Sequence, residues 1–205
     1  MHLTRAKSTT KLPIARKGTK YVARPFSHIY DSITVLAAIR DILKLGKNAR
    51  EVNEMIKGKL IKINERIVND YHQPICLLNI LHADKSYKLT ISPAGRFVLE
   101  ETKDKTRIAK IIGKKVLNKS VTQLNLHDGT NIIFKEDAKV GDSLELDFEN
   151  KIKKVISFGK GKKVFVKSGR NMGNMGIVSS VEGNNVKIKL EEKEVVLNKE
   201  QLIVL

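Results

Sequence analysis

A chain of 205 residues with 39 Lys and Arg against 22 Asp and Glu carries a formal charge of +17, more than solubility requires, so a polyanion is the expected partner. No run approaches ~18 consecutive apolar residues, and the basic N-terminus lacks the apolar core and small-residue cleavage site of a secretory signal; a spanning helix is excluded and a cytoplasmic place expected. Cys76 is the single cysteine, which excludes an internal disulfide and a multi-cysteine zinc site, while absence of Trp and 5% aromatics favour phosphate and shape contacts over base stacking.

Residues 1–30 form a basic extension. Arg5, Lys7, Lys11, Arg16, Lys17, Lys20 and Arg24 meet no acidic residue before Asp31. With few core-forming residues the segment is expected to order only on its partner, and its uncompensated charge points to nucleic acid. Two further basic clusters, Lys103 to Lys119 and Lys160, Lys162, Lys163, Lys167 and Arg170, are equally compatible with an RNA face or a solvated one.

Asp31 or Ser32 can cap a helix with Ile33, Leu36, Ile39 and Leu43 at helical spacing and Gly46 as its stop. Asn48 with Glu51 three residues on opens a second helix, whose stripe is Val52, Met55 and Ile56 and whose end is Gly58. Leu60, Ile61 and Ile63, then Asn64-Glu65, then Ile67 and Val68 read as a hairpin, and Ile75 to Leu81 as an apolar strand. Residues 31–85 are thus expected to be a compact helix-helix-hairpin unit of about 55 residues, near the lower size for independent folding.

Residues 86–158 show short β-like runs at Tyr87 to Ile91, Phe97 to Leu99, Gln123 to Leu126, Ile132 to Phe134 and Ser143 to Phe148, separated by Pro93-Ala94-Gly95, His127-Asp128-Gly129 and Gly141-Asp142. A central antiparallel β domain follows. From residue 159 to 205, after Gly159-Lys160-Gly161, five short strands at 164–166, 177–181, 186–190, 195–197 and 202–204 suit a small barrel. The fold class is α+β.

The segment Ile33 to Ile80 resembles the RNA-binding module of the bacterial ribosomal protein numbered four, also found in pseudouridine synthases and tyrosyl-tRNA synthetases. That resemblance implies RNA contacts from Arg50, Lys57, Lys59, Lys62 and Arg66. Its turn departs from the usual Asn-Gly, because Glu65 disfavours the positive φ of that turn. Residues Lys167 to Val178, with Gly169, Gly173 and Gly176, resemble the KOW motif of ribosomal proteins and elongation factors, with Arg170 and Asn171 as candidate RNA contacts beside Lys162 and Lys163.

The order of parts, with Gln123-Leu124-Asn125-Leu126-His127-Asp128-Gly129-Thr130-Asn131-Ile132, His2-Leu3-Thr4-Arg5 and Gly95-Arg96-Phe97, resembles the archaeal and eukaryotic small-subunit ribosomal protein family four-e over essentially the whole chain. It implies a non-enzymatic constituent of the small subunit. Its partners would be small-subunit ribosomal RNA and neighbouring ribosomal proteins, with no cofactor, metal, small-molecule substrate or membrane. In that family the His127-Asp128-Gly129 stretch is structural. The stop at Leu205, without the basic tail of eukaryotic members, points to an archaeal form.

Two other classes make distinct demands. An RNA-modifying enzyme needs a catalytic domain besides these modules, and a KOW-containing elongation factor leaves the first module unexplained. His2, His28, His72, His82 and His127 have no metal-ligand spacing, and Cys76, in the apolar run Pro74 to Leu78, is expected to pack as a buried thiol.

Overall fold

The computed structural model describes residues 2–118, 121–190 and 193–205, and the chain divides into two compact units, Met1–Asp104 and Lys105–Leu205. It is an α+β protein dominated by antiparallel strands.

In the first unit, β1 (His2–Thr4) pairs antiparallel with β2 (Tyr21–Ala23). The extension, expected to have no order of its own, is therefore a closed loop. Arg5 substitutes for an apolar core: its Nε donates to the Thr19 carbonyl at 2.7 Å, one terminal nitrogen to the Ala15 carbonyl at 2.5 Å and the other to Thr19 Oγ1 at 2.9 Å.

The first expected helix is displaced. Ser32–Thr34 is a strand, β3, paired with β6 (Pro74–Cys76), so neither Asp31 nor Ser32 caps a helix. Thr34 does so, its hydroxyl accepting from the Ala37 N–H at 3.1 Å. The turns that follow form a π-helix over Ala37–Ile42, with Leu43 N–H bonded five residues back to the Ala38 carbonyl.

The second helix, α1 (Ala49–Lys57), starts as its sequence predicts: Asn48 Oδ1 accepts from Glu51 N–H at 3.0 Å, a cap worth about 1 kcal/mol. The Glu51 carboxylate reaches back to Lys47 N–H at 2.7 Å. Val52 and Ile56 are buried. Gly58 caps the helix from a right-handed conformation, and the left-handed residue is Lys59, φ 56°.

Strands β4 (Lys62–Ile63) and β5 (Arg66–Ile67) form the hairpin. Asn64 and Glu65 both have positive φ, 49° and 61°, the pair of conformations a type I′ turn uses. Side chains hold this turn: Asn64 Oδ1 accepts from Ile80 N–H at 2.9 Å, and Glu65 pairs with Lys62 at 3.1 Å.

The expected strand Ile75 to Leu81 is two strands, β6 and β7 (Ile80–His82), because Leu78 turns the chain in the left-handed region at φ 63°. The whole run stays buried on both sides of the turn, so hydrophobicity hid the break; Cys76 is 3% exposed. Strands β8 (Ser86–Ile91) and β9 (Phe97–Glu101) extend a five-stranded sheet ordered β5-β4-β7-β8-β9. The division at residue 85 thus falls inside this sheet.

The second unit opens with a strand absent from the sequence reading, β10 (Thr106–Asn118), 13 residues long. Its inward positions are Arg107, Ala109 and Ile111, and a buried arginine followed by an alanine conceals the period of two. With β11 (Val121–Leu126), β12 (Asn131–Phe134), β13 (Ser143–Asp147) and β14 (Ile152–Ile156), also unanticipated, it forms a sheet ordered β12-β11-β10-β13-β14. The core contains Ala109, Ile111, Leu124, Leu126, Leu144 and Leu146.

A second five-stranded antiparallel sheet follows: β15 (Lys163–Val166), β16 (Met175–Glu182), β17 (Asn185–Lys189), β18 (Glu194–Asn198) and β19 (Leu202–Val204), ordered β18-β17-β16-β15-β19. Its core contains Val164, Val166, Val178, Val186, Ile188 and Leu202, with Ile156 and Phe158 packed against it. Gly176 is required for space: a Cβ there would lie 2.5 Å from Ile188 Cγ2 and 2.8 Å from the Lys189 carbonyl oxygen.

Candidate nucleic-acid interface

The basic residues of the extension divide by role. Arg5 is engaged inside its own loop, and Lys11 is turned inward, 2.5 Å from Asp31 Oδ1 and 5.9 Å from the centre of the Phe97 ring. Arg24 lies at a half-buried position, with His72 Nδ1–H donating to its carbonyl at 2.9 Å. Lys7, Arg16, Lys17 and Lys20 are exposed, with the Lys20 ammonium 5.4 Å from the Tyr21 ring centre.

The loop faces an open cleft of about 670 Å³ lined by Arg5, Lys17, Arg40, Lys44 and Lys47, with Asp41 the one carboxylate. Asp41 is held bidentately by Arg40 at 2.8 and 2.9 Å. The remaining cationic groups give the cleft a positive field of the kind that attracts phosphate.

On the helix-hairpin segment Arg50 is exposed and 3.4 Å from Glu54, a surface pair too weak to withhold it from an anion. Lys57 and Lys59 are exposed at the other end of α1, about 10 Å along the axis from Arg50 at 1.5 Å per residue. Lys62 is opposite Ile67 and Arg66 opposite Ile63, so the two side chains leave opposite faces of the hairpin. The five residues are brought onto one small element pair but not to one point.

In the second unit Lys162, Lys163 and Arg170 are exposed and Asn171 half-buried. Strand β15 separates the lysines from Arg170 and Asn171, roughly 10 Å at 3.3 Å per residue. The loop between them turns at Gly169 and Gly173, φ 93° and 86°, and closes through Gly173 N–H to the Val166 carbonyl at 2.9 Å.

Two members of the cluster at 103–119 are not on the surface. Arg107 is 2% exposed and Lys110 4%; Lys119 lies outside the described residues. Arg107 pairs with Asp128 and bonds Asn150 Oδ1 at 2.8 Å. Asp128 Oδ1 in turn accepts from Thr130 N–H at 3.0 Å, and Gly129 turns at φ 83°. Burial raises the Asp128 carboxyl, but Arg107 and His127 outweigh it and leave it below the usual carboxylate range. The stretch around His127-Asp128-Gly129 is thus a turn clamped to β10 by a buried ion pair.

The family model described as ribosomal family S4e matches residues 83–152, which include that turn. Small ribosomal subunit protein eS4 of Methanocaldococcus jannaschii is 30% identical over 202 residues, covering 90% of this chain and 83% of that one. The eS4 protein of Methanococcus maripaludis is 33% identical over 199 residues, covering 88% and 81%. The chain belongs to the S4e family. The crystal structure of the 30S ribosomal protein S4e from Thermoplasma acidophilum shares its fold, with a TM-score of 0.74 at 24% identity over 85% of this chain and 95% of that one.

Within this S4e-family chain, sequence reasoning missed Arg40, which lies in the π-helix, and Lys44 and Lys47, which follow it. It also missed Lys199, because only the fold carries it beside Lys110 and Lys167. No group of three or more His, Cys, Asp or Glu that could hold a metal occurs among the described residues.

Proposed function

We propose that this chain is a structural constituent of the small, 30S-type ribosomal subunit in the cytoplasm, binding folded small-subunit RNA through basic side chains and acting without catalysis. The observation that carries this reading is its similarity, over about nine-tenths of its length, to a protein named as small ribosomal subunit protein eS4. The basic extension (1–30), the helix-hairpin module that begins at residue 31 and whose sheet continues past residue 85 through β9, and a KOW domain of barrel type (159–205) present the RNA contacts. Exposed Lys7, Arg16, Lys17, Lys20, Lys57, Lys59, Arg66 and Arg170 support it, since folded RNA is bound chiefly by shape and phosphate.

The test is co-sedimentation. The chain is expected with 30S particles and not with RNA polymerase; the reverse result favours an elongation factor, and turnover in an RNA-modification assay favours an enzyme. Changing Arg50, Lys59 and Arg66 together to Ala should weaken RNA binding more than tenfold, at about 1 kcal/mol or more per charge-assisted contact, with Tm unchanged. Lys193→Ala should do little. If the triple variant binds like the parent, the hairpin is not an RNA contact.

A further inference from the structure

Three lysines far apart in sequence line one cleft of about 490 Å³ in the second unit: Lys110 on β10, Lys167 just after β15, and Lys199 in the 3-10 turn Lys199–Gln201. Lys110 is held rigidly, its ammonium donating to the Lys199 carbonyl at 2.8 Å and the Glu200 carbonyl at 3.0 Å. An ammonium has three donors, and the third has no partner among the described residues. The Lys199 stem is fixed against Gly141, where a Cβ would come within 2.3 Å of Cε, and its ammonium stands 4.9 Å from the Phe158 ring centre.

The charges are unbalanced. Lys62, Lys88 and Lys114 each have a carboxylate within ion-pair distance; Lys167 and Lys199 have none among the described residues, and Glu200 is the one carboxylate lining the cleft. Three ammonium groups held around one carboxylate repel one another unless a further anion enters.

We infer that this cleft is a phosphate site, taking a phosphodiester of the RNA backbone between Lys110, Lys167 and Lys199. This deepens the RNA-binding reading and rests on it for the source of the phosphate. The fit to a phosphate is chemical: the buried Lys110 ammonium is preorganised by two carbonyls, and two half-buried lysines beside it add charge-assisted donors for an oxyanion. Proton linkage follows. Burial, then Lys167 and Lys199, pull the Lys110 ammonium down to about 8 against the opposing effect of Glu200. His127 packs on the same residue through the main chain, its Nδ1 accepting the Lys110 backbone N–H at 3.1 Å. An anion entering the cleft favours the charged form, so binding near and above pH 8 takes up a proton.

The test uses the full chain and two probes. Titration with inorganic phosphate, followed by NMR, should shift the Lys110, Lys167 and Lys199 signals before those of other lysines and raise the Lys110 midpoint. Equal shifts at lysines throughout the chain would overturn the site. With small-subunit RNA, the variant carrying Lys167→Met and Lys199→Met, which keeps both aliphatic stems, should lose about 1 from the slope of log affinity against log salt, the share of one phosphate. An unchanged slope beside specific phosphate shifts overturns the RNA-backbone assignment and leaves a free-phosphate site. Failure of the parent to bind the RNA defeats the ribosomal reading instead, and the phosphate titration still decides the cleft. That titration needs no variant, so an unstable double variant does not shelter the inference.

Discussion

Two arginines each hold a segment of this chain in place, and they do it under opposite conditions. Arg5, half-buried, closes the extension by donating to neutral acceptors, the Ala15 and Thr19 carbonyls and the Thr19 hydroxyl. Arg107, 2% exposed, anchors the turn at Asp128 through a carboxylate whose side chain is equally buried. A guanidinium near water keeps part of its hydration, so neutral partners suffice. One removed from water needs a counter-charge, because its desolvation is worth several kcal/mol. Arg107 Nε is buried without a hydrogen-bond partner among the described residues, so even the ion pair leaves part of that cost unmet.

The largest effect expected from this contrast is that of Arg107→Met. It strands a buried Asp128 and should destabilise the second unit by about 3 to 5 kcal/mol in denaturant unfolding, whereas adding Asp128→Leu should recover most of the loss. If the double change is as damaging as the single one, hydrogen bonds to Thr130 and Asn150 matter more than charge pairing. Acid gives an intermediate effect. The Asp128 carboxyl is depressed in the folded state, so its contribution is fully present above its unfolded value of about 3.9 and is lost as pH falls through the lower folded value. Melting curves below pH 4 should therefore fall less steeply in Asp128→Asn, from a lower starting stability. The smallest effect is that of Arg5→Met, which should abolish amide protection across residues 2–23 while moving the global transition by roughly 1 kcal/mol or less. Arg5→Lys should not restore protection, since a single ammonium cannot reproduce the guanidinium fork. A large global loss on changing Arg5 would make the two arginines equivalent and defeat the comparison.

Legibility in the sequence followed the range of the interaction. Asn48 and Glu51, three residues apart, announced α1 because a helix cap is local. The five terminal strands appeared at or near their expected places because each is a short run rich in β-branched and apolar residues, as in Val164-Phe165-Val166 and Leu202-Ile203-Val204, and such runs are local signals. The first helix was misplaced, since Ser32 looks like a cap until β6 arrives from residue 74 to pair with it. Strand β10 was hidden because the partner that makes Arg107 acceptable inside, Asp128, is 21 residues away. The candidate site was legible as charge but not as geometry: Arg5 and Lys11 counted as free cations, while the fold turns both to internal acceptors.

The sequence by itself determined the basic character of the chain, its α+β class, the S4e resemblance and most of the β-rich order of parts. Those depend on composition, local periodicity and short turns. Only the tertiary structure decided which positive charges remain available. Tertiary contacts bury Arg107 against a carboxylate, close Arg5 onto carbonyls, and bring Lys110, Lys167 and Lys199 to one cleft. The physical reason is that a cation's use depends on its solvation and on the neighbours brought to it through space, and neither is encoded in its position along the chain.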